Sequence, residues 1–336
     1  MKGRYGSVQT WIGCLAILVL ILDGKLATKA AADGVQLCLK VLIPSIFPFL
    51  VFSPLLRGGV FDLLLQPLCR ILRISRNCTP LLLSSILGGY PVGATTTGQY
   101  FSQGMISQKD ARRFIAFCNN PGPAFLFGIG IHIFQDVKYC WLAWLIILSA
   151  SAFVAIATPG TCSCLSSQQT TQISLPASMT QAVKVMATIC GWVVIFRILI
   201  EVLNTWIIWR FPEWIGLTVS GFLELSNGCS GLIQQDHMGA KLLLFTAFMS
   251  FGGICVWLQT ISVTHGIDTR LYIPGKITQT ACSILLSTVA QFLLPKEQRL
   301  ILPISVLCMC LAICILYTII LKNQENSCRN LQAIGV

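Results

Sequence analysis

The sequence predicts an all-α polytopic membrane protein, with about eight transmembrane helices plus two re-entrant hairpins arranged as an inverted repeat. Three observations lead there. Of 336 residues, 55% are hydrophobic and 10% are charged, with a mean hydropathy of +0.76. A soluble domain carries roughly 25% charged residues, so a chain this poor in charge takes lipid as its solvent. Eight apolar runs are long enough to cross a ~30 Å hydrocarbon core, at 9–27, 36–57, 113–134, 138–158, 181–203, 242–262, 275–294 and 299–321. Two further segments, 79–101 and 217–233, are apolar but broken by Gly88, Gly89, Pro91 and Gly93, and by Gly221, Asn227, Gly228 and Gly231. Lipid would leave backbone groups unsatisfied at such breaks.

Taken in order, the first run follows Lys2 and Arg4 and lacks a clean small-x-small cleavage site, so it reads as an uncleaved span. The broken segment 79–101 has Arg70, Arg73 and Arg76 before it and Lys109, Arg112 and Arg113 after it. Basic flanks on both sides place both ends in the cytoplasm, which makes the segment re-entrant. Between each hairpin and the preceding span lies a short amphipathic piece. In 62–76, Leu64, Leu68, Ile71 and Leu72 share a helical face, and 204–215 carries Trp206, Trp209 and Trp214 as an interfacial belt. With two hairpins and the N-terminus inside, thirteen Lys and Arg fall in inner loops, Arg113 and Lys276 among them, and seven in outer loops, Lys25, Lys29 and Lys241 among them. That bias supports the orientation and puts both termini in the cytoplasm. The expected units are an N-terminal helix and outer loop (1–35), a first repeat (36–158), a flexible polar cytoplasmic linker (159–180), a second repeat (181–295), and a C-terminal helix and tail (296–336).

The repeat is read from the order of parts. Residues 40–52 align without gaps on 184–196, and Ala116-Phe117 before Pro121-Gly122 echoes Ala247-Phe248 before Gly252-Gly253. Three crossings per unit is an odd number, so the second copy inserts upside down. Inverted repeats with interrupted helices build a midplane site for alternating access.

The charge of +11 is explained by loop topology, not by nucleic acid, which is not an expected partner. Most of the sixteen cysteines lie in apolar runs and act as small hydrophobes. The loop pair Cys162 and Cys164 has no histidine near it, so no metal and no cofactor is expected. There is no GxSxG, HExxH or P-loop, and the chain is not expected to be an enzyme.

The four interruptions carry the candidate chemistry. They are Gly88–Gly93, with Gly89, Tyr90 and Gly93; Cys118–Pro123, with Asn119, Asn120, Pro121 and Gly122; Glu224–Gly228, with Glu224, Ser226 and Asn227; and Ser250–Gly253, with Ser250. Unwound backbone frees N–H and C=O groups, and half-helix N-termini suit anions. Close packing on small residues accounts equally well for the glycines. Two adjacent amides in an apolar span point more firmly to use. Glu224 is an intramembrane acid, a candidate for ion coupling or for solute hydrogen bonding, unless it sits at a solvated mouth. Arg197 and Glu201, at i and i+4, read as a helix-stabilising ion pair, and Lys40 and Lys184 snorkel.

Pro44–Phe49, Gly89–Ala94 and Cys118–Pro123 resemble the sporulation integral membrane proteins of the YlbJ type, in the nucleoside-recognition "Gate" domain group. The resemblance covers roughly residues 36–295 and is looser at Glu224–Gly228. It implies likeness to concentrative nucleoside transporters, with paired hairpins and broken helices around a central site. It also implies a role in moving dipicolinate from mother cell to forespore, in the bacterial cell membrane or the outer forespore membrane. The expected partners are then a small anionic solute and the lipid bilayer, with a homo-oligomer left open. A nucleoside or nucleobase carrier and a non-transporting sporulation scaffold are the alternatives.

Overall fold

The computed structural model describes residues 10–11, 13–14, 17–18, 20–55, 63–163 and 174–333. Among them every regular element is helical, apart from one isolated bridge between Ile74 and Cys162. In chain order the helices are α1 (Gly24–Phe52), α2 (Gln66–Ile71), α3 (Thr79–Leu87), α4 (Val92–Ser102), α5 (Gln108–Ile115), α6 (Pro123–Phe134), α7 (Val137–Ala157), α8 (Leu175–Trp206), α9 (Glu213–Leu223), α10 (Leu225–Gly231), α11 (Met238–Phe251), α12 (Gly253–Val263), α13 (Tyr272–Ala290) and α14 (Ile304–Ala333).

Five stretches among the described residues are long and apolar enough to cross a membrane: α1, α7, α8, the consecutive α11 and α12, and Ile304–Lys322 of α14. The chain is a multi-pass membrane protein. The other expected spans take different forms. The run 113–134 is divided, with α5 ending at Ile115 and α6 starting at Pro123. The run 275–294 lies mostly in α13, where Lys276, Thr278, Gln279, Ser283 and Ser287 are buried, so one face of this helix belongs to the protein interior. The first run turns at Asp23, and α1 begins at Gly24. The outer loop expected before residue 36 is therefore helical from Gly24 onward.

That helix continues because Ala27, Ala30, Gly34, Cys38, Leu42, Ile46 and Leu50 make one buried stripe, mostly against α8. A strict four-residue spacing drifts on a 3.6-residue helix. The wider π turn at Cys38–Leu42 takes up part of that drift. Gly34 lets the backbones meet, since a Cβ there would lie 3.1 Å from the Val194 Cα.

At the centre, α13 packs against α7, α11 and α14. Its partners are joined by hydroxyls, with Thr246 to Ser287 at 2.6 Å and Ser250 to Ser283 at 2.5 Å, as suits association in lipid. Two cations expected in loops are also interior. Arg113 is buried and donates to the carbonyls of Leu72, Ala155 and Thr158. Lys241 donates to the Ile133 carbonyl at 3.0 Å.

The amphipathic piece 62–76 does not present a single face, because Cys69 and Leu72 are buried while Leu64 and Ile71 are exposed. The expected linker 159–180 is partly anchored. Cys162 is buried and its backbone pairs with Arg73 and Ser75, and α8 already starts at Leu175. Cys164 lies outside the described residues.

Candidate functional site

Two helical hairpins and two broken spans meet in the interior. In the first hairpin, α3 and α4 are joined by Gly88–Pro91. Thr95, Thr96 and Thr97 follow, and each hydroxyl donates to the carbonyl four residues back at 2.7–3.0 Å, so the polar groups of α4 stay satisfied. In the second hairpin, α9 and α10 are joined through the extended residue Glu224 (φ −145, ψ 116). Its carboxylate accepts from Ser226 N (3.1 Å), Asn227 N (2.9 Å) and Asn227 Nδ2 (2.8 Å). Glu224 thus caps the first turn of α10, where otherwise unpaired N–H groups and the helix dipole favour an anion. It is buried, not at a solvated mouth.

Each hairpin tip touches one broken span through backbone. Gly89 has φ +76, and a Cβ there would lie 2.6 Å from the Gly122 nitrogen. Gly253 has φ +82, and a Cβ there would lie 3.0 Å from the Leu223 carbonyl and 3.3 Å from Leu225 N. The two halves are tied together by the Tyr90 hydroxyl, which donates to the Met249 carbonyl.

Between these tips lies a cavity of ≈ 30 Å³, room for about one or two water molecules. Its polar lining is Ser45, Tyr90, Glu224, Ser226 and Gln259, with Gly88, Gly89 and Gly122 presenting backbone. Leu42, Ile46, Phe125, Ile189, Val193, Leu225 and Val256 complete it. Ser45 and Ile189 are equivalent positions in the ungapped alignment of 40–52 with 184–196, and both face the cavity.

Of the residues expected from sequence, Gly89, Tyr90, Gly122, Glu224 and Ser226 line this cavity. The others form the wall behind it. Asn119 donates to Thr260 Oγ1 (2.8 Å) and Tyr272 (3.3 Å), with its Oδ1 buried and unpartnered. Asn120 donates to the Phe117 carbonyl (2.8 Å) and Ser151 (3.0 Å), and accepts from Gln279 (2.8 Å). Pro121 lies in the coil before α6, next to the capping residue Gly122. Gly93 lies against the Cys118 carbonyl, and Ser250 pairs with Ser283. Asn227 Oδ1 accepts from Arg197 at 2.7 Å. Arg197 also reaches Asp33 at 3.5 Å and Glu201 at 3.9 Å, so the expected pair with Glu201 is its longest contact and the hairpin amide its shortest.

Lys276, Gln279 and Gln259 are not among the residues expected from sequence. Lys276 counts as an inner-loop cation there, yet it is fully buried, with Nζ donating to the Asn119 carbonyl and to Gln279 Oε1 (2.9 Å). A signal is present in the sequence: Lys276, Gln279, Ser283 and Ser287 recur at three- and four-residue steps and so mark one polar helix face.

No protein-family model matches the chain, and no solved structure matches it. Over 116 residues the chain is 31% identical to Sporulation integral membrane protein YlbJ of Bacillus subtilis (strain 168), an alignment that covers 33% of this chain and 28% of that protein. A third of the chain is thus similar to a bacterial integral membrane protein, in agreement with the five apolar spans.

Proposed function

We propose that the protein is a carrier, not an enzyme, that moves a small anionic solute across a membrane of a spore-forming bacterium, with dipicolinate the first candidate. One observation carries this reading: four interrupted segments, two from each half of the chain, converge, with the breaks of three lining one cavity and the fourth, at Gly252-Gly253, packed against Tyr90 and the second hairpin. In lipid, interrupted backbone is tolerated where it is buried in protein or lines a cavity, and pairs of such interruptions are how carriers build a midplane site. In this reading the two hairpins are re-entrant, the halves form an inverted repeat with about eight crossings counting the divided ones, and both termini are cytoplasmic. The similarity to a sporulation membrane protein supports the cellular setting, in the cell membrane or the outer forespore membrane.

At ≈ 30 Å³ the cavity does not admit an aromatic dicarboxylate, so transport requires the tips to part. Within the first half the tip is held by the backbone contact at Gly89–Gly122, and across the halves by single hydrogen bonds such as Tyr90–Met249. The second kind is a contact that two rigid halves can break and remake. A nucleoside carrier is the second reading, favoured by the neutral donors and acceptors Ser45, Ser226 and Gln259 on the wall. The test is uptake by proteoliposomes of labelled dipicolinate against labelled uridine, together with the dipicolinate content of spores from a deletion strain. Uptake of neither, with normal spore dipicolinate, would leave a scaffold as the better account.

A further inference from the structure

Lys276 places an amine inside a membrane protein with no acid beside it. Its side chain is fully buried on α13. Nζ donates to the Asn119 carbonyl of the first broken span and to Gln279 Oε1 at 2.9 Å, and lies 5.4 Å from the centre of the Tyr90 ring. All three partners are neutral. The ion pairs among the described residues are Arg112–Asp268, Arg197–Asp33, Arg197–Glu201 and Arg270–Asp268, and none includes Lys276.

The other titratable groups nearby are Tyr272 on α13 itself, Cys118 on the broken span and Tyr90 on the first hairpin. Around α13, α14 presents Cys314 to the Thr278 carbonyl, α11 presents Thr246 and Ser250, and the α7 side is reached through Gln279 to the Ile147 carbonyl. None of these is a carboxylate. The acid of the cavity, Glu224, is already occupied by the first turn of α10. An ammonium buried with neutral partners alone is costly, and intramembrane charges mark functional positions.

The cavity is one aromatic ring away, because Tyr90 both lines it and covers the amine. Tyr90 is held in that place by its bond to the Met249 carbonyl of the opposite broken span. Parting of the halves breaks this bond and frees the ring to move aside.

Resting on the carrier reading, we propose that a carboxylate of the solute supplies the counter-charge Lys276 lacks, and that the amine takes up one proton for each anion bound. The balance is simple: neutral amine, proton and carboxylate become an ammonium–carboxylate pair. A monoanion and a proton then cross together with no net charge moved, whereas a dianion such as dipicolinate crosses with one negative charge.

The test is calorimetric titration of the purified full-length protein with pyridine-2,6-dicarboxylate, benzoate and, as a neutral probe, uridine. It is repeated across pH and in two buffers of different ionisation heat, which counts protons. The wild type should take up one proton per anion bound and lose about tenfold in affinity per pH unit on the alkaline side. Lys276→Arg should still bind carboxylates but lose that pH dependence, since a guanidinium does not titrate. Lys276→Met should lose at least about tenfold in carboxylate affinity. Wild-type carboxylate binding that Lys276→Met leaves unchanged overturns the inference while the carrier stands. If Lys276→Met fails to fold, Lys276→Arg decides, and a wild-type pH profile in that variant overturns the proton step. Binding of uridine alone overturns the inference and the anionic solute together. Binding of no probe removes both the inference and the carrier reading.

Discussion

Replacing Gly89 with alanine tests whether the hairpin tip and the broken span are held backbone to backbone. At φ +76 the left-handed conformation costs an L-residue about 1–2 kcal/mol. The added Cβ would lie 2.6 Å from the Gly122 nitrogen and 3.0 Å from its Cα. Both are backbone atoms, so relief requires moving the tip, and overpacking of this kind adds about 1–3 kcal/mol. Together about 2–5 kcal/mol is at stake, a large share of the roughly 5–15 kcal/mol that holds a folded domain. Gly128 supplies the control. It sits within α6, where an added methyl would meet nothing within 4 Å, and there Gly→Ala should gain about 0.5–1 kcal/mol of helix stability. Detergent-solubilised variants are heated and the monodisperse fraction is read by size-exclusion chromatography. Gly89→Ala should melt about 5 °C or more below wild type, and Gly128→Ala at or slightly above it. A Gly89→Ala protein as heat-resistant as wild type would refute the close approach and the convergence built on it.

Three further outcomes follow from the same geometry. Asn120→Ala strands Gln279 and Ser151 and should cost about 1–3 kcal/mol of stability, whereas Ser226→Ala on the cavity wall should lower uptake at unchanged melting temperature; the reverse pattern would exchange their roles. Arg197→Ala leaves the Asn227 amide oxygen without its donor and should reduce membrane abundance, seen by immunoblot, with Glu201→Ala much milder because its contact is the longest. In the loop between α12 and α13, hydrogen bonds from the Arg270 side chain hold the Asp268 carboxyl below its ordinary range, helped by the Arg270 backbone and by Arg112. A depressed folded value means its stabilisation is present above the ordinary aspartate pKa of 3.8 and is lost as pH falls through the folded value, so the melting difference between wild type and Asp268→Asn should be present at pH 6 and vanish in strong acid.

Much of the architecture can be read from composition and punctuation. Apolar run length finds α1, α7, α8, α11–α12 and α14, because a membrane helix is hydrophobic all round. Glycine and proline locate three of the four breaks, since a residue that exposes backbone in lipid must be buried elsewhere; in the second hairpin the break falls at Glu224, and Gly221, Gly228 and Gly231 lie within α9 and α10. The roles of the site residues are less legible. Whether Asn119 faces the cavity or the wall is set by Thr260 and Tyr272, about 140 to 150 residues further along, and no local pattern encodes that. Glu224 reads as an acid for ion coupling or solute hydrogen bonding because it is isolated in sequence, but its oxygens accept from Ser226 and Asn227, two and three residues on. The polar face of α13 escapes a reading that weighs Lys276 as a charge near a span end and not as one member of a stripe.

The misplaced cations also decide how far charge counting holds in this chain. Positive-inside bias acts on residues in short loops, yet Arg113, Lys241 and Lys276 are bound to interior carbonyls. Removing Arg113 and Lys276 from the inner thirteen and Lys241 from the outer seven leaves eleven against six, so the bias survives. Lys25 and Lys29 change position as well, lying in α1 and not in a loop. At 1.5 Å per residue the 29 residues of α1 run about 43 Å, beyond a ~30 Å hydrocarbon core. In the proposed orientation the first turns, with both lysines, fall in that excess at the outer surface. The proposed orientation then rests on the remaining cations of the count. The buried ones carry a different message, because a membrane protein that holds a lysine against a broken helix without an acid beside it has spent no charge on topology there.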